Sequence, residues 1–568
     1  MIKKEMESGA VKAQQKAVRH RASSFLSLGA AGLIGSLALM QSAAGVEAQA
    51  LNPATTIEQQ NARRVQELSA TPPLTGPVVI SPTAARGEMV PPGGPTVLLT
   101  KVEFTPGSAF LTQADLDAIL VNYVGKRVDF SQIQQLVQDV NDLYTRKGIV
   151  TASAVLPPQT LDRGLLKVQL VEGKLATVAV NGAQQVPADF ILQRVRLTRG
   201  ENTVDVPSAA KDITRFNKVY DAQLRMSLQP GTDFGTTDVA LQLIEPQKNQ
   251  LSFFLDNQGV PSTGKTELGV FYHRYSLLMP DDNFLAYGTH AQGSDSGTLS
   301  YDAPITPMGT RLGLTFSRST INVISGPTQP LNISGRSGSF GATLSQPLYV
   351  SPTWSLFAIG GASYGTSKSF SNATPLVDST TKEYSLSLNA NYNKERLAFS
   401  ITPQISHALT NDHLAPLKRD ITLFTGSFNG SYQLKNGIVL IANGAWQYTD
   451  AKLVPGDLLF QVGGPTTVRG FPSDASSGDS GYFAQFEVHK ALDIKGLAKG
   501  LDVYGFIDAG SVYSTFPKSV FFVSGGAGLS YPLTKNAKLE FGVGFPLRQV
   551  VANQSPATVY TRLTVAAF

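Results

Sequence analysis

The sequence predicts a mixed chain, with a C-terminal antiparallel transmembrane β-barrel of about sixteen strands preceded by two small α+β modules. Three observations predict it. Helical periodicity is clear up to about residue 245 and gives way to period-two alternation from about residue 250 to Phe568. In that second region the polar positions are mostly Ser, Asn, Thr and Gln, where a water-exposed sheet face would carry more Lys and Glu. Beyond the N-terminus no apolar run reaches the length of an ordinary helical span, so a membrane-embedded chain must cross as strands.

The N-terminus reads as a targeting segment. Lys3, Lys4, Lys12, Lys16, Arg19 and Arg21 precede an apolar stretch from Phe25 to Leu39, and Ala48-Gln49-Ala50 offers a cleavage motif. That order is a secretory signal peptide, residues 1–50. The rest is expected outside the cytoplasm, where ATP is not normally at hand. Residues 51–95 hold a short helix, Thr55 to Leu68, and then a Pro/Gly-rich linker from Ser69 to Pro95. The helix has only a weak apolar stripe of Ile57, Val65 and Leu68, with Arg63 and Arg64 elsewhere on the wheel.

Residues 96–174 form the first module. "VLLTKVEFT" is a strand, and Thr112 opens a helix through T-x-x-D. A second helix is expected to start at the Ser131/Gln134 pair, run through Leu136, Val140 and Tyr144, and stop at Gly148. "VTASAVLP" and "GLLKVQLVEG" close the module as strands. Residues 175–247 repeat the theme, with helices in "ADFILQRV" and "AAKDITRFNKVY" and closing strands in "LRMSLQPG" and "TTDVALQLIEP".

Residues 248–568 form the barrel. Tyr384, Leu386, Leu388, Ala390 and Tyr392 alternate with Ser385, Ser387, Asn389 and Asn391, and the pattern resumes after "NKE" with Leu397, Phe399, Ile401 and Ile405. Roughly 320 residues, at about 9–11 per spanning strand and a similar length per connection, give roughly sixteen strands. "YDAPITPMGT", "SQPLYVSPTW" and "SYPLTKNAK" read as tight hairpins on the module side. In the last strand one face carries Ala566, Thr564, Arg562 and Tyr560 and the other Val565 and Leu563, which leaves its lipid face open.

Several motifs fail on context. Gly259 to Thr266, "GVPSTGKT", matches the phosphate-binding P-loop, but "ELGVFYHRYSLL" comes next, which is strand rather than helix material. Gly361 to Gly365 matches G-x-S-x-G inside a strand, without the turn a nucleophile needs. The chain has no Cys, its six His lack ligand spacing, and a net charge of +5 comes without a basic aromatic patch. No enzyme activity, cofactor, metal, nucleotide or nucleic acid is expected.

"QVGGPTTVRGFPSDASSGDSGYFAQFEV" resembles the V-R-G-[FY] loop of outer-membrane two-partner secretion transporters, the TpsB family of haemolysin and filamentous-adhesin exporters. The motif is Val468, Arg469, Gly470 and Phe471, and "FIDAG" supplies the F-x-D-x-G element as Phe506, Asp508 and Gly510. "YTRKGIVTASAVLPPQTLDRGLLKVQLVEG", "LQPGTDFGTTDVALQLIEP" and "DNQGVPSTGKTELG" extend the likeness over nearly the whole mature chain. The resemblance implies two periplasmic POTRA domains, a plug helix at Thr55 to Leu68, and an outer-membrane barrel. It also implies secretion of one partner protein, a TpsA-like adhesin or haemolysin, and a C-terminal aromatic, Phe568, read by the barrel-assembly machinery. The alternative is an insertase of the same superfamily, against which two modules and a linker after a plug both argue.

Two further expectations concern side chains. Gly463, Gly464 and Gly470 let the motif loop bend inward so that Arg469 pairs with Asp508 on the lumen wall, and a charge swap should restore that pair. An unfolded client is expected to add to the first module by β-augmentation near Val168 to Val171. Its candidate contacts are Ser131, Gln135, Gln138, Tyr144, Val168 and Leu170.

Overall fold

A computed structural model describes residues 53–68, 79–80, 90–200, 202–473, 475–494, 500–514, 518–550 and 554–568. The predicted signal segment and Ala48-Gln49-Ala50 lie outside them. No helix among the described residues is long and apolar enough to cross a membrane.

The first module folds in the predicted order. Thr112 caps the helix Gln113–Leu120 in a capping box with Asp115. A bond from Lys147 and the Thr112 amide hold the Asp115 carboxyl down at about 2, so the cap stays charged near neutral pH. The second helix, Phe130–Arg146, is capped two residues before the predicted pair. Its cap is Asp129, which accepts from the Gln132 amide at 2.9 Å, while the Asp129 amide donates back to Gln132 at 3.0 Å. Ser131 is already in the first turn and donates to Asp129 at 2.7 Å, because the carboxylate is the stronger acceptor for the orphan amides. Gly148 comes after the helix with φ +75°, the left-handed turn its position requires.

The module's sheet corrects the expected client edge. Its strand order is Lys101–Thr105, Leu165–Glu172, Ala152–Val155, so Val168 to Val171 lies on the middle strand with both sides paired. Ser131, Tyr144, Val168 and Leu170 are buried, the last three within the core together with Leu136 and Val140. The Tyr144 hydroxyl donates to Glu172 at 2.8 Å, and burial raises its pKa. Gln135 and Gln138 stay half-exposed and bond Asp139 and Asp142 one turn on. At the real edge, Asn141 bonds both backbone groups of Ala154. Its Oδ1 accepts from the Ala154 amide at 2.6 Å and its Nδ2 donates to the Ala154 carbonyl at 3.2 Å.

The second module carries a six-stranded sheet behind the helices Ala188–Leu192 and Val206–Val219. One strand of that sheet is a surprise. Val79–Ile80, from the stretch expected to be plain linker, pairs parallel to Met226 and Ser227 and covers the edge of Gln223–Pro230. A flexible linker acquires this order because the open strand edge offers unpaired backbone groups.

Among the described residues sixteen antiparallel strands close into a barrel, from Asn249–Asp256 round to Thr558–Ala566. The outward set is the predicted one. Tyr384, Leu386, Leu388, Leu397, Phe399 and Ile405 are all exposed on the outer face. At the closing seam Phe253 faces Val565 and Leu255 faces Leu563. This register settles the last strand: Val565 and Leu563 point outward, while Tyr560 is buried against the inner loop. Phe568 is 54% exposed, and its carbonyl accepts from the Leu251 amide.

The two motif matches that failed on context sit as expected. Gly259 to Thr266 is the turn between Asn249–Asp256 and Glu267–Tyr275, and Gly361 to Gly365 runs inside the strand Trp354–Ser371. Lys265 is exposed in that turn. Lys265→Ala is therefore expected to leave client release and barrel level within about twofold of wild type. A severe release defect at normal protein level, scored by immunoblot of medium and membranes, would contradict this.

Module and barrel meet over two barrel turns. The Asp281 carboxylate, in the turn after Tyr275, accepts from the amides of Asp221 and Ala222 and from Arg311, whose Nη1 lies 2.9 Å away. Tyr220 reaches the Pro307 carbonyl at 3.2 Å, and Arg215 the Met308 carbonyl at 2.7 Å. A Cβ on Gly309 would meet Val219 Cγ1 at 2.2 Å, so that glycine lets the module seat flush on the rim.

Candidate functional site in the barrel lumen

Two pieces of the chain fill the barrel. The first is the helix Pro53–Leu68. Near its start Ala54 and Ile57 pack on Val260, Ile321, Val323 and Ile333. Below them most contacts are polar, apart from Val65, which packs on Phe254, Phe271, Leu285 and Tyr287 of the wall. Glu58 accepts from Ser337 at 2.8 Å, Gln60 donates to the Gln258 carbonyl at 3.1 Å, and Asn61 reaches Ser296. Arg64 Nη1 lies 2.7 Å from Glu267 Oε2, with both side chains almost wholly buried. This explains the weak apolar stripe in the sequence. A helix that docks on a Ser/Thr/Asn-lined lumen needs amides and charges rather than leucines. Polarity all round, on a segment of helical propensity, was the available signal.

The second piece is the loop between the strands Ile438–Tyr448 and Ser480–Leu492. It folds inward and forms its own hairpin, Phe460–Val462 with Ser476–Gly478. Phe460, Val462, Val468 and Phe471 make a small core with Phe483, Val512 and Phe522 of the wall. Phe471 meets Phe522 edge-on at 5.0 Å. Gly510 is the space that admits this hairpin, since a Cβ there would meet Val462 Cγ1 at 3.0 Å and the Tyr482 carbonyl at 2.9 Å.

At the tip of the loop the residues singled out from sequence converge. Arg469 grips Asp508 with a two-pronged bond, Nε to Oδ2 and Nη2 to Oδ1, both at 2.7 Å, and its own amide donates to Oδ2 at 3.0 Å. The guanidinium lies 3.6 Å above the centre of the Phe506 ring. Gly470, at φ +91°, is held by the last strand: its amide donates to the Tyr560 hydroxyl at 2.7 Å and its carbonyl accepts from Thr558 at 2.8 Å. A Cβ on the facing Gly544 would approach the Gly470 nitrogen at 2.7 Å, so loop and wall touch backbone to backbone.

Sequence reasoning missed the other half of the site. Glu487 takes the remaining prong of Arg469 at 2.5 Å, and His489 bridges Glu487 and Asp502, 2.6 Å from each. The His489 ring stacks on Tyr504 at 4.9 Å. The signal was there in "QFEVHK": Gln485, Glu487 and His489 alternate along a barrel strand, and charged groups at such spacing belong to the lumen. Loop and helix also touch, since Arg63 lies 5.3 Å from the ring centre of Phe483 and 6.0 Å from that of Phe460.

Comparisons place this arrangement. A family model described as haemolysin secretion/activation protein ShlB/FhaC/HecB matches residues 235–531, more than half of the chain. A second model, POTRA domain of ShlB type, matches residues 97–173. The chain is similar to the outer membrane transporter CdiB of Dickeya dadantii (strain 3937), at 25% identity over 498 residues, covering 82% of this chain and 85% of that protein. It is also similar to the heme/hemopexin transporter protein HuxB of Haemophilus influenzae (strain 86-028NP), at 22% over 468 residues, covering 77% and 81%. In fold it is similar to solved CdiB structures. That from Escherichia coli gives a TM-score of 0.66 at 19% identity, covering 90% of this chain and 98% of that one. That from Acinetobacter baumannii gives 0.60 at 17%, covering 90% and 99%. The chain thus belongs to the ShlB/FhaC/HecB family of haemolysin secretion/activation proteins, as an outer-membrane two-partner secretion transporter with its POTRA modules in the periplasm.

Proposed function

We propose that this protein exports one unfolded partner protein through its barrel, admitted by the periplasmic modules and driven by folding of the client outside. One observation carries the reading. The lumen is filled by two segments of the chain itself, the helix held mainly by polar and charged contacts and the loop by a small apolar core together with the Arg469 ion pairs. Such segments can leave as units and open a pore without unfolding the wall.

The modules support the entry step. An extended client gains most from an open strand edge. The edge strand Ala152–Val155 is held by Asn141, an amide that mimics a neighbouring strand at Ala154 and can be displaced by one. Gln135 and Gln138 sit on the same helix and supply side-chain amides to an incoming chain. The parallel addition of Val79–Ile80 to the second module is the same chemistry performed by the protein on itself. Between that module and the barrel mouth lies a cavity of about 710 Å³, lined among others by Lys218, Asp221, Gln250, His273 and Arg311. It is a vestibule of mixed character on the path from module to lumen, with Val219, Phe271 and Phe357 also in its walls. The step assigned to Phe568 is recognition by the assembly machinery before insertion.

The test is a comparison of exported proteins with and without Val97 to Glu245. The truncated barrel is expected to insert, shown by heat-modifiable migration, and to export no client. Loss of one large exported protein supports secretion. A general fall in outer-membrane proteins would instead indicate an insertase, and normal export by the truncated barrel would refute client capture by the modules.

A further inference from the structure

The seated helix leaves part of the lumen open. Along one side of Pro53–Leu68 lies a chamber of about 420 Å³, bounded by three pieces of the chain. The helix gives Glu58 and Gln59, the strand Thr374–Lys394 gives Thr381 and Glu383, and the inward loop gives Asp457. Gln59 ties helix to loop here, its Nε2 donating to the Leu459 carbonyl at 3.1 Å.

The charge of this chamber is one-sided. Glu58, Glu383 and Asp457 are all carboxylates, and among the described residues no Lys, Arg or His lines it. None of the three joins an ion pair among the described residues, whereas Glu267, Glu487 and Asp508 each have an arginine. Glu58 is served by two serine hydroxyls, Ser337 at 2.8 Å and Ser339. Hydroxyls stabilise a carboxylate but bring no charge to offset the other two.

Two polar atoms of the same lining have no partner. Thr381 is 5% exposed and its hydroxyl is in no hydrogen bond, and Oδ1 of Asp457 is in none either. Buried polar atoms normally find a partner, so two such atoms on one chamber mark a place for a polar guest. Water alone would leave three like charges around one space, each raising the cost of the others. A cation answers both needs. Among the described residues no Asp, Glu and His side chains converge tightly enough to hold a bare metal ion. The chamber has room for an ion that keeps its water shell, at about 30 Å³ per water. Mg²⁺ behaves in this way, since it dehydrates reluctantly and is held through one or two carboxylates. Its double charge offsets two of the three carboxylates in one site, which a potassium ion cannot do.

We propose that a hydrated divalent cation of the Mg²⁺ class occupies this chamber and ties the helix, through Glu58, to Glu383 of the wall and Asp457 of the loop. Glu58 departs with the helix, so the ion binds the seated state better than the open one. By linkage it favours the seated state, by about tenfold at about ten times its Kd. This clamp belongs to the resting pore and is separable from client export.

The experiment uses the full chain, purified in detergent and reconstituted in planar bilayers of phosphatidylcholine, which carries no net charge for Mg²⁺ to act on. Replacing KCl by MgCl₂ at constant ionic strength is expected to lower the open fraction of wild type by about tenfold at about ten times the Kd. Glu383→Gln with Asp457→Asn keeps side-chain size and removes two charges. In KCl alone this variant should already be less open than wild type, because the like charges are gone, and Mg²⁺ should change it no further. Equilibrium dialysis with Mg²⁺ should show one ion per chain in wild type and none in the variant. Glu58→Gln, on the helix and away from the wall, should lose the Mg²⁺ response as well. Heat-modifiable migration confirms that each variant is folded. An equal response of wild type to KCl and MgCl₂, or a Mg²⁺ response retained by the folded variants, overturns the proposal.

Discussion

Arg469→Ala is expected to stop export while the barrel still inserts. Arg469 is 8% exposed and its partner Asp508 is wholly buried, so the alanine leaves a carboxylate in the wall without its two-pronged partner. Removing one member of a buried pair costs about 3–5 kcal/mol, against about 0–1 kcal/mol for an exposed one. Here the loss is compounded, because Glu487 is left with His489 as its only named ion-pair partner and Phe506 loses the group on its ring. The inward fold of the loop is the state expected to fail. The measurement is client in the medium against heat-modifiable barrel in the membrane. Normal export at normal protein level would remove the loop from the mechanism.

The geometry also revises the expected charge swap. Read from sequence, Arg469→Asp with Asp508→Arg should recover part of the function. In the structure the loop position also faces Glu487, so an aspartate there meets a like charge. The position at Asp508 has no room for a guanidinium, being fully buried beside Gly510. The swap is now expected to be no better than the single variant. Arg469→Lys should fail too, since one ammonium cannot serve two carboxylates and a ring face in the geometry of a planar fork.

Arg64→Ala is expected to unseat the plug helix. Arg64 and Glu267 are 2% and 4% exposed, and the arginine also donates to the Gln258 carbonyl. Few apolar contacts hold the helix, so this pair is a large part of what binds it. Stranding Glu267 costs about 3–5 kcal/mol, or about two to four powers of ten in plug occupancy. Planar-bilayer recordings should show a larger and more persistent conductance than wild type. Adding Glu267→Ala should bring conductance part of the way back, because no lone charge is then left. If the single variant conducts like wild type, the pair does not hold the plug.

The sequence by itself determined what is written between near neighbours. The caps at Thr112 and Gly148, the order of elements in both modules and the outward row from Tyr384 to Tyr392 all depend on residues within a few positions of one another. The turn at Gly259 to Thr266 was legible for the same reason, since the residues from Glu267 onward are strand material. Even the inward loop was foreshadowed, because glycines and an alternating aspartate are local features. Tertiary structure decided which distant groups meet. It buried Val168 and Leu170 on a middle strand, drew Val79–Ile80 into a sheet, and turned Val565 rather than Arg562 towards lipid. It also joined Arg64 to Glu267 across 203 positions and gave Arg469 a second carboxylate in Glu487. Side-chain alternation says that a charged residue faces the lumen. Only strand register and closure of the ring fix the height and the wall at which it arrives, and so which charge it finds there.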